Sequence, residues 1–168
     1  MQKRKYGFWI IPENDLYNEL NSIIRKYSIV HKTPIFVPHL TLHGVVSSTD
    51  EEVVEVVRKV VKSLTPFNLE LGQAEFSNTY YQCVFARVKT SASLFNANAA
   101  INNGFKVEKQ VFMPHMSLVY GDFTVEEREK IAHEITIDNK FFEANKVSIV
   151  RADSPNPDLW AIVEQMNL

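Results

Sequence analysis

Two short stretches of this 168-residue sequence carry residue types that can do chemistry: His39-Leu40-Thr41-Leu42 and His115-Met116-Ser117-Leu118. A proline precedes each histidine (Pro38, Pro114), and a glycine lies just beyond each stretch (Gly44, Gly121). Apolar and polar residues alternate, which predicts a strand in both places. Residues i and i+2 of a strand share a face, about 7 Å apart. His39 and Thr41 therefore share a face, as do His115 and Ser117. The two copies stand nearly half the chain apart, so they predict a pseudo-symmetric site made from two halves. If the strands lie side by side, two imidazoles and two hydroxyls converge. Paired imidazoles suit acid–base catalysis near neutral pH, one accepting a proton and one donating it. Hydroxyls donate to anionic oxygens without adding charge. Together they suit phosphoryl transfer at a small phosphodiester, with one histidine activating water and the other protonating the leaving oxygen.

Other chemistry fits less well. His39, His43 and His115 could ligate zinc, but strand ligands are usually i, i+2 pairs, and no cysteine or carboxylate lies within either motif. His43 has no counterpart, because Val119 occupies the matching place, so it reads as a rim or supporting residue. His31 and His133 stand in no motif. His133-Glu134 lacks the second histidine of a zincin helix. The five glycines form neither a phosphate-cradling loop nor a dinucleotide fingerprint. No serine sits on a glycine-flanked elbow. No cofactor is expected.

The elements that must position these residues alternate between strand and helix. Tyr6 to Ile11 reads as a strand ended by Pro12. Asn14 or Asp15 opens a helix with Leu16, Leu20, Ile23, Ile24 and Tyr27 on one face. The first motif strand runs on through Val46, and Thr49 or Asp50 caps a helix with a valine stripe from Val53 to Val61. Phe67 to Leu71 is a strand expected to end at Gly72. The second half repeats the order. It runs as a strand over Tyr80 to Val88, a helix from Thr90 or Ser91 stopping at Asn102-Asn103-Gly104, and the second motif strand. A helix capped by Thr124 follows, then a long strand from Phe141 to Arg151, a turn at Ser154 to Asp158, and a last strand from Trp160 to Met166. Several strands have one apolar face, which favours antiparallel sheets.

Composition bounds the rest. Net charge is −2 and the only basic cluster is Lys3-Arg4-Lys5, which argues against a general nucleic-acid coat. Cys83 is the single cysteine, so it forms no intrachain disulfide and reads as a small core residue in a reducing compartment, the cytoplasm. No apolar run approaches a membrane span or a signal segment. Residues 1–168 are expected to form one domain of two lobes, acting as a monomer.

The two motifs resemble the paired His-x-Thr/Ser-x motifs of the 2H phosphoesterase superfamily, and the duplicated element order resembles its bilobal fold. The resemblance covers essentially the whole chain. It is nearest to the small plant and yeast cyclic nucleotide phosphodiesterases. Tyr6-Gly7-Phe8-Trp9-Ile10-Ile11-Pro12 is similar to their opening strand, with Trp9 matching a tryptophan that lines the substrate pocket. Tyr120 matches a tyrosine that contacts phosphate or ribose. The resemblance implies an α+β fold with two mainly antiparallel sheets facing a central cleft and helices outside. It also implies a metal-independent cyclic phosphodiesterase, with His39 and His115 as the acid–base pair, Thr41 and Ser117 on the phosphate, and Tyr120 and Trp9 assisting. The substrate would be ADP-ribose 1″,2″-cyclic phosphate or a nucleoside 2′,3′-cyclic phosphate, opened to a monoester. We expect His115 to activate water and His39 to protonate the leaving oxygen. Larger substrates form one alternative: 2′-5′ oligoadenylates, cyclic oligonucleotide signals or RNA ends. A binding module that holds a nucleotide without turnover is another. Plant members carry cysteines that pair, and this chain with Cys83 alone does not share those bridges. Tyr120 stands five positions after His115, so a straight strand would turn it away from the motif face. Its part in the site requires a twist or bulge near Gly121.

Overall fold

The computed structural model describes residues 2–108 and 110–168. Eight strands and four helices follow the chain as β1 (Arg4–Ile10), α1 (Asn14–His31), β2 (Leu40–Ser48), α2 (Asp50–Val61), β3 (Phe67–Phe76), β4 (Val84–Val88), α3 (Ala92–Phe105), β5 (His115–Val119), α4 (Val125–Glu134), β6 (Phe141–Ala144), β7 (Lys146–Arg151) and β8 (Ala161–Asn167). The strand order is β6-β3-β4-β5-β2-β1-β7-β8, and the paired strands run antiparallel. Two half-sheets of four strands meet at the β5–β2 seam, where a single bridge pair, Leu40 opposite Met116, joins them. Each repeat gives its later strands to the other half: β3 pairs with β4, and β7 pairs with β1. The fold is α+β. Its antiparallel halves line a cleft, and the helices cover the outer face.

Strand periodicity sets the core. Tyr6, Phe8, Ile10, Leu40 and Leu42 are all at most 1% exposed. They pack with Leu16 and Leu20 of α1, Val53 and Val57 of α2, and Leu94 and Ile101 of α3. The residues between them, among them Trp9 and Thr41, face the cleft. Helix starts are fixed locally. Thr49 and Thr124 form capping boxes with Glu52 and Glu127, and the Ser91 side chain accepts from the Leu94 N–H. Cys83 is buried in the core, as its apolar surroundings implied, and burial pushes its thiol pKa up.

Three boundaries differ from the sequence reading. The expected strand from Phe141 to Arg151 breaks at Asn145. β6 pairs with β3 and β7 with β1, near opposite ends of the strand order, so the sheet curls. The Glu143-Ala144-Asn145-Lys146 segment has weak strand preference but no glycine or proline to announce the break. Gly72 does not end β3; the strand runs on to Phe76 across a register shift between Leu71 and Ala74. β4 begins at Val84 and not Tyr80, because Ser77 and Thr79 build a turn whose Ser77 hydroxyl donates to the Gln82 carbonyl at 2.7 Å. No helix among the described residues is long and apolar enough to cross a membrane.

Candidate active site

The seam sets the geometry. With Leu40 opposite Met116 in antiparallel register, Thr41 falls opposite His115 and His39 opposite Ser117. In that register each imidazole lies on the side of the other motif's hydroxyl, and the two histidines occupy one diagonal of the four-residue face. His39, Thr41, His115, Ser117, Tyr120 and Trp9, all six of the residues singled out in the sequence, line one cavity of about 480 Å³.

Both rings are fixed in the same way. His39 Nδ1 donates to the Val37 carbonyl at 2.6 Å, and His115 Nδ1 donates to the Met113 carbonyl at 2.8 Å. A carbonyl only accepts, so Nδ1 carries the hydrogen and Nε2 of the neutral ring holds the lone pair. Trp9, paired with Thr41 across the β1–β2 ladder, stacks flat on the His39 imidazole with ring centres 3.6 Å apart. Gly7 makes room for this arrangement: a Cβ there would stand 3.1 Å from the Gly44 carbonyl and 3.3 Å from Trp9 Nε1. Behind Trp9, His39 is only 7% exposed. Burial, with the His115 imidazole adding to it, pushes its pKa down to about 4. His115 is half-buried, and burial followed by the Arg87 charge lowers its pKa as well. Phe85 meets the His115 ring edge-on at 5.3 Å.

The hydroxyls differ. Ser117 donates to the Tyr81 carbonyl at 2.7 Å. Thr41 makes no side-chain hydrogen bond among the described residues. Tyr120 reaches the cleft because β5 bulges. Ser117 pairs with Phe85 and Val119 with Val84, so one extra residue lies between these pairs. Leu118 and Val119 both turn into the core, and Tyr120 returns to the face of Ser117. Its ring stacks on Phe36 at 3.7 Å, and its hydroxyl approaches that of Ser117. Burial raises the Tyr120 pKa, so the phenol stays protonated.

Several site residues had no signal in the motifs. Trp160 meets Trp9 at 5.6 Å and Tyr81 at 6.3 Å, walling the cavity with aromatic rings from both halves. Trp160 Nε1 and the Tyr81 hydroxyl donate to the Ser154 and Pro155 carbonyls, at 2.6 and 3.0 Å, holding one loop from two sides. An aromatic two residues after the Pro155-Asn156-Pro157-Asp158 turn was the available clue for Trp160. Arg128 is 5% exposed and donates to the carbonyls of Phe123, Ser77 and Thr79 at 2.6–3.0 Å, fixing the loops on either side of Tyr80 and Tyr120. His43 lies in an adjoining smaller cavity. Among the described residues, no three side chains of His, Cys, Asp or Glu gather as metal ligands.

Comparison with known proteins gives the family and the fold. Residues 5–167 match the family described as cyclic phosphodiesterase-like protein. The chain is 22% identical over 176 aligned positions to the cyclic phosphodiesterase of Arabidopsis thaliana, covering 100% of this chain and 97% of that protein. Its fold is similar to that of Escherichia coli LigT in apo form (TM-score 0.70, 12% identity, 100% and 99% of the two chains). It is also similar to TT0787 of Thermus thermophilus (TM-score 0.63, 14% identity, 98% and 97%). The chain belongs to the cyclic phosphodiesterase-like family of 2H phosphoesterases, and it is a hydrolase.

Proposed function

We propose that this protein opens a ribose cyclic phosphate to a phosphomonoester by two-histidine acid–base catalysis without a metal. The substrates are ADP-ribose 1″,2″-cyclic phosphate or a nucleoside 2′,3′-cyclic phosphate. The observation that carries this reading is the seam register, which sets each histidine opposite the other motif's hydroxyl. A phosphorus at the centre of that face has an imidazole on either side, as in-line displacement requires. Thr41 and Ser117, on the other diagonal, hold the non-bridging oxygens, and Ser117 turns from the Tyr81 carbonyl to do so. The Tyr120 phenol supports Ser117, and Trp9 holds the His39 ring. The aromatic walls take a base or ribose.

Water attacks phosphorus and gives its proton to Nε2 of one histidine; the phosphorus–oxygen bond to ribose breaks, and the other histidine protonates the leaving oxygen. His39, the more buried and more strongly depressed, stays neutral and acts as the base. His115, nearer solvent, takes up a proton beside the bound phosphate anion and acts as the acid. This order reverses the one expected from sequence, where neither burial nor the Trp9 stack is visible. The name of the Arabidopsis relative, cyclic phosphodiesterase, supports the reaction class. A LigT structure complexed with 3′-AMP supports nucleotide recognition by this fold. The protein works as a one-domain monomer in the cytoplasm, consistent with its lone reduced cysteine. The test is turnover of nucleoside 2′,3′-cyclic phosphates in EDTA. His39→Ala and His115→Ala should each lose nearly all of it, and near wild-type rates in either variant would end the proposal.

A further inference from the structure

Strand parity sets the cleft face of β1. Tyr6, Phe8 and Ile10 point into the core and are at most 1% exposed, so Lys5, Gly7 and Trp9 share the opposite face. All three line the main cavity, which therefore runs on past the motifs along β1. Lys5 stands four residues from Trp9, about 13 Å along the strand. Between them the floor carries no side chains, because Gly7 lies against Gly44. A Cβ on Gly7 would stand 3.1 Å from the Gly44 carbonyl, and one on Gly44 would meet nothing within 4 Å. The connection from β7 to β8 closes the far side of this outer arm, with Ala152 and Ser154 in its wall.

Two hydrogen-bond donors border the arm. The Trp9 Nε1 edge lies toward Gly7, 3.3 Å from where a Cβ would stand. It donates to no side chain or carbonyl among the described residues, and it keeps accessible surface, since Asn102 Oδ1 is the one buried side-chain atom there without a partner. Lys5 is the second donor. Its backbone is held by the β7–β8 connection: the Lys5 N–H donates to Asp153 Oδ1 at 2.8 Å, and the Lys5 carbonyl accepts from the Ala152 N–H at 2.8 Å. Asp153 is the one carboxylate lining the cavity among the described residues, and its other oxygen accepts from Arg4 at 3.5 Å. The Lys5 ammonium makes no ion pair among the described residues. A lysine stem spans roughly 6 Å, so the ammonium can swing back over the glycine floor. An open ammonium and an indole N–H beside a bare floor suit an anion and leave it room.

We infer that Lys5 is a specificity-determining residue: its ammonium holds a second phosphate, carried on carbon 5 of the ribose whose cyclic phosphate lies between the histidines. That ribose has two further substituents to place. The base takes the aromatic wall of Trp160 and Tyr81. Carbon 5 then leads out past the Trp9 N–H, over Gly7 and Gly44, to Lys5. This rests on the two-histidine reading above and names the residue that grades substrates within it.

The experiment compares kcat/KM for adenosine 5′-phosphate 2′,3′-cyclic phosphate with that for adenosine 2′,3′-cyclic phosphate, which differ only in the second phosphate. One charge-assisted hydrogen bond predicts a preference of about tenfold for the first, carried in KM and shrinking as salt rises. Lys5→Gln should bring the ratio near parity, and Lys5→Glu should invert it. The Lys5 side chain is exposed, so both variants are expected to fold, and any general loss of activity lowers both rates and cancels in the ratio. Equal kcat/KM for the two substrates in the wild type, or a preference that survives in Lys5→Glu, overturns the inference and leaves the reaction intact. Failure to open either substrate overturns the two-histidine reading itself.

Discussion

Acidifying the protein from pH 7.5 to pH 5.0 should cost the wild type about 2 kcal/mol more stability than it costs His39→Asn. The unfolded chain binds a proton at His39 near pH 6.5, and the folded chain does so only near about 4, because the ring is buried behind Trp9. A depressed histidine leaves stability complete above the unfolded pKa. Below it the unfolded state gains the proton first, and stability falls until the folded pKa is reached. The whole interval is worth about 3 kcal/mol at 1.36 kcal/mol per pKa unit, and about two-thirds of it lies above pH 5. The asparagine variant keeps an N–H in the place of Nδ1, so the Val37 carbonyl keeps its donor. His115 titrates in the same window but is present in both proteins, so it cancels in the difference. Urea titrations at the two pH values, extrapolated linearly to water, read the quantity directly. Equal acid losses in the two proteins would refute the desolvation of His39 and, with it, its assignment as the neutral base.

Three further outcomes follow from the same geometry. The base must be neutral, above about pH 4, and the acid protonated, below its lowered pKa, so kcat/KM should peak on the acid side of neutrality and decline above it; a maximum at pH 8 or higher in initial rates would contradict the assignment. Arg128→Met leaves the Ser77, Thr79 and Phe123 carbonyls without their donor and should cost about 3 kcal/mol, seen as a lower Tm in calorimetry, with a raised KM as the flanking loops loosen. Lys32 ends α1 in the left-handed region at φ 56°, so Lys32→Gly should stabilise by up to about 1 kcal/mol in the same urea assay.

The parts of this structure legible in the sequence are those that repeat or alternate. His39-x-Thr41 and His115-x-Ser117 announced two strands, and the threonine caps with their glutamates announced α2 and α4. The relation between the halves was not legible, because it depends on one bridge pair and on strands exchanged between repeats. Asn145 divides what reads as one β-rich run, and only the pairing partners of β6 and β7 reveal it. Tyr120 is the instructive case. Strand parity turns it away from His115, and a bulge at Leu118-Val119, set by the pairing with β4, turns it back. Arg128 falls on the helical face of Ile131, where an apolar residue is expected; its role lies in loop carbonyls, of which those of Ser77 and Thr79 are distant in sequence.

Phosphorus NMR of a nucleoside 2′,3′-cyclic phosphate incubated with the purified protein in EDTA tests the central claim most directly. The account predicts that the cyclic resonance gives way to that of a single monoester, at a rate unaffected by the chelator and abolished in both His39→Ala and His115→Ala. A cyclic resonance that persists unchanged, or conversion that stops in EDTA and returns with added zinc, would contradict it.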